Sequence, residues 1–140
     1  MTPRSRTTPA PLVVAASLAA VEGLVILLLA VLEVVNLSSE RLAMGLTTTA
    51  FFAAYGLGLL VCAAGLQRRH SWGRSPVILA QLIQLGLAWS FRGGETTLIG
   101  ITLALVAVVV VAGILHPASV LALSDDPRLD DADALDPGDA

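Results

Sequence analysis

The chain predicts an all-α fold, a transmembrane bundle of four helices with both termini cytoplasmic, and three observations carry that expectation. Four apolar blocks, residues 12–37, 42–66, 77–91 and 96–115, fill nearly all of the chain between Leu12 and Leu115. A helix needs about 20 such residues to cross a hydrocarbon core roughly 30 Å thick. Hydrophobic residues make up 56% of the 140 positions and charged residues 14%, with a mean hydropathy of +0.83, more apolar than a soluble domain of that size. Finally, almost all the charges lie in connectors and tails, where their sign sets the orientation of the helices.

Taken in order, residues 1–11 are polar, contain Pro3, Pro9 and Pro11, and are expected to be disordered until Pro11 opens the first helix at residues 12–37. Arg4 and Arg6 resemble the charged start of a signal peptide. The apolar run behind them is about 25 residues long, against roughly 7–15 for a signal core, and no Ala-x-Ala site follows, so it reads as a retained helix. A connector with Glu40 and Arg41 leads to the second helix, residues 42–66. The next connector holds Arg68, Arg69, His70 and Arg74, a basic loop that topology explains and that anionic lipid would also favour.

The third helix, residues 75–91, has the shortest apolar run. Trp72 and Trp89 bracket it 17 positions apart, about 25 Å on a helix. Indoles favour the two membrane interfaces, so this spacing supports a thin but real crossing. Ser75 is expected as its N-cap, with Pro76 in the first turn. A Gly93-Gly94 turn with Arg92 and Glu95 precedes the fourth helix, residues 96–116, which Pro117 stops. Residues 117–140, with seven aspartates from Asp125 to Asp139, read as an acidic disordered tail.

Every cationic side chain except histidine is Arg. Six of the eight fall in the N-terminal segment, the second connector and the tail, and two in the other connectors. Positive charge collects inside, so the reading is a multi-pass protein of a bacterial plasma membrane, N-in and C-in. The all-Arg usage and the Ala, Leu and Val content suggest a GC-rich bacterial genome.

The lipid bilayer is therefore the first partner. Nucleic acid is excluded for want of a basic face. Cys62 is the single cysteine, so no intrachain disulfide forms, and it reads as a small packing residue. No nucleophile–base constellation, phosphate loop or HExxH is present, and the reading is not an enzyme. His70 and His116 fall at helix ends without a Cys or carboxylate at ligand spacing, so no metal and no cofactor are expected.

Glu22 and Glu33 are the only carboxylates inside the blocks, and an intramembrane carboxylate is a functional-site hypothesis by default. They are 11 positions apart, within about 20° of each other around the helix, on a stripe with Ala15, Ala19, Leu29 and Asn36. Glu22 falls near the bilayer midplane, where a charge costs at least about 2.5–3.5 kcal/mol. It must face the bundle, be protonated or reach water. Gln81 and Gln84 share a face of the third helix, with Gln84 at a similar depth, and Tyr55 and Thr102 are further candidates for this intramembrane polar network. The network either holds the helices in register, binds a proton or cation, or meets a polar group of a partner subunit.

On the second helix, Ala50, Ala54, Gly58, Val61 and Gly65 share a nearly all-small face. Small residues let helices approach closely in lipid. This helix-packing face is expected either inside the bundle or against a second copy or partner. Gly100, Ala104 and Ala107 repeat the pattern more weakly on the fourth helix.

The run Trp72-Gly73-Arg74-Ser75-Pro76, followed by Gln81-Leu82, Trp89-Ser90 and Gly93-Gly94, resembles small four-helix integral membrane proteins of actinobacteria that are uncharacterised. The resemblance covers most of residues 21–117, includes a glutamate placed like Glu22, and implies membrane class and topology but no activity. Small multidrug-resistance exporters also carry a Glu in their first helix, but this chain lacks their aromatic-rich second and third helices. The expected function is a non-enzymatic accessory or self-associating membrane module, forming a homo-oligomer or joining a larger membrane complex. The alternative is a small proton-coupled carrier with Glu22 as the titrating group.

Overall fold

The computed structural model describes residues 7–36 and 42–124, which form five α-helices and no strand. These are α1 (Ala10–Val35), α2 (Leu42–Gln67), α3 (Arg74–Ser90), α4 (Thr97–Leu115) and α5 (Pro117–Ser124), with 3₁₀ turns at Ser71–Gly73 and Gly94–Thr96 leading into α3 and α4. The expected first connector with Glu40 and Arg41 lies outside the described residues. So do the N-terminal arginines, Arg128 and all seven aspartates of the expected tail.

Local chemistry sets most of the helix ends. Pro9 stands at the N-cap of α1, its carbonyl accepting from the backbone N–H of Leu12 and Val13 at 3.0 and 3.1 Å, and Pro11 occupies the first turn, where a missing N–H costs nothing. Asn36 closes the helix, with both its backbone N–H (3.1 Å) and its side-chain Nδ2 (2.7 Å) donating to the Leu32 carbonyl. Residues 10 and 11, expected in the disordered segment, are therefore helical.

α2 ends through a left-handed residue, Arg69, at φ 61°. Around it His70 N–H donates to Gly65 O at 2.9 Å and Arg69 N–H to Leu66 O at 3.0 Å, the paired bonds of a Schellman cap. That cap ordinarily takes glycine, because a Cβ in this conformation costs about 1–2 kcal/mol. Arg69→Gly is accordingly expected to raise the stability of the bundle by about 1 kcal/mol, seen as a higher unfolding midpoint in detergent. An unchanged or lower midpoint would mean that the arginine head group contributes as much as the backbone strain removes.

Two expectations are corrected. Ser75 is not the N-cap of α3: the helix starts one position earlier, at Arg74, with Gly73 as the cap residue and no side-chain cap. The 3₁₀ turn before it already has near-helical geometry and hands the chain over without a break. Pro76 does fall in the first helical turn. Secondly, the segment after Pro117 does not start as disordered tail. Pro117 ends α4 and opens α5, with Ser119 and Leu123 buried. His116 supplies the cap, its Nδ1 accepting from Ala118 N–H at 3.2 Å and its carbonyl from Ser119 and Val120. A proline that cannot continue one helix is well suited to begin another.

The four long helices pack in sequence around a ring. α1 lies along α2 most extensively, α3 along α4 next, α4 closes onto α1, and α2 touches α3 least. Two glycines set the α1–α2 distance. A Cβ on Gly23 would stand 2.9 Å from the carbonyl oxygen of Gly56, and one on Gly56 would stand 2.9 Å from that of Gly23. Gly100 approaches the Ala88 carbonyl (α3–α4), and Gly113 the Pro11 carbonyl (α1–α4), as closely.

The bundle is not equally packed along its length. The largest fully buried side chains are Leu12, Leu66, Ile114, Gln81, Val77, Val110 and Ser119. They belong to the start of α1, the end of α2, the start of α3, the end of α4 and α5, and so gather at one end. In the other half only small residues such as Ala30, Gly45 and Ala88 are buried.

Outward, the helices are clad in hydrocarbon. Leu24, Leu28 and Val31 of α1, Phe51, Leu57 and Val61 of α2, and Ile101, Leu105 and Val108 of α4 are all more than half exposed. So continuous an apolar surface is compatible with lipid. Three segments, Ala10–Val35, Leu42–Gln67 and Gly94–Leu115, are long and apolar enough to cross a membrane. α3, with 17 residues, is about 25 Å long and somewhat short of them.

Candidate functional site: a glutamate held by two glutamines

Glu22 lies 12 positions into α1, about 18 Å along its axis, at the upper edge of the well-packed half. Its carboxylate faces α3. Gln81 Nε2 donates to Glu22 Oε2 at 2.6 Å, and Gln84 Nε2 donates to Glu22 Oε1 at 2.7 Å. Gln84 Nε2 also donates to the Leu103 carbonyl of α4 at 3.2 Å. One carboxylate thus ties α1 to α3, and through Gln84 to α4.

The sequence puts these groups together by simple periodicity. Gln81 and Gln84 are three positions apart, hence on one face of α3, one turn separating them. They sit 7 and 10 positions from its start, near the middle of its span. Both reach the same carboxylate, one to each oxygen.

Gln81 is fully buried, and Glu22 and Gln84 are half-buried. The amide of Gln81 uses only its nitrogen: its Oε1 is buried and has no partner among the described residues. A buried unpaired acceptor is costly.

The other expected members of the network fall elsewhere. Tyr55 of α2 is at the same level, 12 positions from the end of its helix. It makes no hydrogen bond with the carboxylate, and its ring stacks on Phe51 at 6.0 Å. Glu33 is half-buried in the loosely packed half and has no partner among the described residues. Its stripe-mates Ala15 and Ala19 are buried, whereas Leu29 and Asn36 are exposed. The stripe faces the bundle only in its first half, because α1 runs on beyond the packed core. Thr102 does not join either; its hydroxyl donates to the Leu98 carbonyl of its own helix at 2.9 Å.

The small-residue face of α2 is divided. Gly65 is buried beneath the Trp72 indole, which leaves 3.0 Å for a Cβ, so this end of the face packs within the bundle. Ala50, Ala54 and Gly58 are exposed, and a Cβ on Gly58 would meet nothing within 4 Å. The residues that instead bring α2 onto α1, Gly56 and Leu60, lie on a different face of the helix. The signal was present in the sequence as Gly23, the one glycine of the first apolar run, and Gly56, one of four in the second, but nothing in either run says that they meet.

Between α2 and α3, where contact is sparsest, a groove of about 250 Å³ is lined by Ala54, Tyr55, Gly58, Leu59, Cys62, Pro76 and Ala80. Arg68, Arg69 and Arg74 are carried by the segment that joins the two helices at the groove's end, and none has an acidic partner among the described residues. On the opposite side of the chain's length, Arg92 lies over the Trp89 ring at 3.5 Å from its centroid, a cation–π contact. No three His, Cys, Asp or Glu residues gather into a metal-binding group among the described residues.

The chain matches no family model, no curated protein and no solved structure.

Proposed function

We propose that this is a small polytopic integral membrane protein, a non-enzymatic module whose four helices cross a bacterial plasma membrane with both termini inside. α3 is the fourth span on this reading. It carries Leu79, Leu82 and Ile83 outward, each more than half exposed, and it places Gln81 and Gln84 against a glutamate in the middle of α1. A helix with that surface and that partner belongs at the depth of its neighbours. The resemblance of the Trp72–Pro76 motif to actinobacterial four-helix proteins agrees with this membrane class.

The module associates, with itself or with a larger membrane complex, through the outer edge of α2. The observation that carries this is the open space at Gly58, flanked by exposed Ala50 and Ala54. A partner helix can approach closely there, as small residues permit in lipid. Because nothing within the bundle touches that position, Gly58→Leu should leave the monomer's unfolding midpoint unchanged and reduce association at least tenfold. Crosslinking or single-molecule photobleaching in native membranes reads the second quantity. Unchanged association would remove this edge as the interface.

A second reading, a small proton-coupled carrier, is favoured by one specific observation. The mid-span carboxylate of Glu22 lies beside a buried acceptor, Gln81 Oε1, that has no donor among the described residues. Under this reading Glu22 exchanges a proton during transport, and Glu22→Gln abolishes flux.

A further inference from the structure

We propose that the groove between α2 and α3, with Arg68, Arg69 and Arg74 at its mouth, is a binding site for an anionic phospholipid, one acyl chain in the groove and the headgroup on the arginines. The inference rests on the membrane reading above, and the groove shares Ala54 and Gly58 with the association edge proposed there.

The dimensions choose the occupant. The lining runs along α2 from Ala54 to Cys62, eight positions or about 12 Å. A volume of about 250 Å³ over that length leaves a mean cross-section of only about 20 Å². A helix, about 10 Å across, has roughly four times that section and cannot enter, although it can pack over the outer edge of α2. A single extended hydrocarbon chain fits. The walls suit it as well: Leu59, Cys62, Pro76 and Ala80 offer aliphatic or thiol surface, and Tyr55 adds an aromatic one.

Charge chooses the headgroup. The groove's connector end is defined by Cys62 on the last turns of α2 and Pro76 on the first turn of α3. Gly73 seals the segment against α2, since a Cβ there would lie 2.8 Å from the Cys62 carbonyl. Arg74 is two positions before Pro76, and Arg68 and Arg69 follow α2 directly, so the backbone carries all three arginines on the connector at that end of the groove. With no carboxylate paired to any of them among the described residues, they are free to meet phosphate. Guanidinium is the side chain best matched to a phosphodiester, and the cytoplasmic leaflet, where positive connectors reside, is the anionic one.

The site is tested with the full-length protein in nanodiscs containing phosphatidylglycerol or phosphatidylcholine that bears a photoactivatable group in one acyl chain, followed by peptide mapping. The expected result is labelling concentrated on residues 54–62 and 76–80, at least fivefold stronger with phosphatidylglycerol. Arg68→Gln, Arg69→Asn and Arg74→Gln together should reduce that preference to near unity, Asn being chosen at position 69 because it tolerates the left-handed backbone. The unfolding midpoint checks that the triple variant is folded. Separately, Ala54→Phe, at an exposed position on the rim, should lower groove labelling while leaving labelling of α4 unchanged. Equal labelling by the two lipids, or a preference that survives loss of the arginines, would overturn the headgroup assignment and with it the site. Labelling spread evenly over every outward helix face would overturn the groove. No labelling anywhere in the chain would instead defeat the membrane reading itself.

Discussion

The Gly56→Leu variant is expected to lose at least about 3 kcal/mol of stability, at or beyond the top of the usual range for overpacking, and to yield little folded protein. Each of Gly23 and Gly56 faces the other's carbonyl oxygen with 2.9 Å available for a Cβ, and the second-nearest atoms, in Leu60 and Leu27, stand at 3.0 and 2.9 Å. The leucines can turn aside. The carbonyls belong to helical backbone and cannot. Any side chain at either position must push α1 away from α2 along the most extensive contact in the bundle. Gly58→Leu, two positions along the same helix but pointing into open space, provides the matched control and should be neutral. The comparison is made by denaturant titration in detergent micelles, following helix content and elution volume. Equal stabilities for the two variants would show that the α1–α2 crossing is not as described.

Glu22→Ala is expected to cost about 2 kcal/mol, from two interhelical bonds lost, at roughly 0.6 kcal/mol each on average, and from the buried Gln81 amide left without an acceptor. Gln84 retains the Leu103 carbonyl, so the larger share of the penalty falls on Gln81, which is fully buried and has no other partner. Glu22→Gln behaves differently. The new carbonyl oxygen still accepts from Gln84, and the new amide nitrogen finds in Gln81 Oε1 the buried acceptor that has no donor at present, once the Gln81 amide turns. Stability should stay within about 1 kcal/mol of the parent. This separation makes the pair informative: the alanine variant measures the latch, and the glutamine variant keeps the latch while removing the titrating group. Proton flux into vesicles by the glutamine variant would eliminate the carrier reading. A negligible cost for Glu22→Ala would show that the carboxylate is not what holds α3 to α1.

Much of the architecture was legible from residue order, and for physical reasons that involve only near neighbours. Runs of apolar residues must cover their own backbone polar groups in lipid, so they are helical, and Pro11, Pro76 and Pro117 mark first turns because their rings fix φ and lack an N–H. The i, i+3 spacing of Gln81 and Gln84 placed both amides on one face of α3, and similar depth pointed Gln84 toward Glu22. The second bond, from Gln81, and the fork of Gln84 onto the Leu103 carbonyl were not written in any local pattern. A backbone carbonyl exists at every position, and only the crossing of α3 and α4 selects one.

Tertiary structure alone decided which small residues carry a helix contact. Ala50, Ala54, Gly58 and Gly65 share a face by periodicity, yet Gly65 is covered by Trp72 while the other three are exposed. The actual crossing uses Gly56, paired with Gly23 thirty-three positions away. In lipid the outside of a bundle is as apolar as its inside, so hydropathy cannot tell an inward face from an outward one. The same reason explains α5, which an acidic neighbourhood and a proline made look like tail. Its Ser119 and Leu123 are buried only because the start of α1 and the end of α4 are there to bury them.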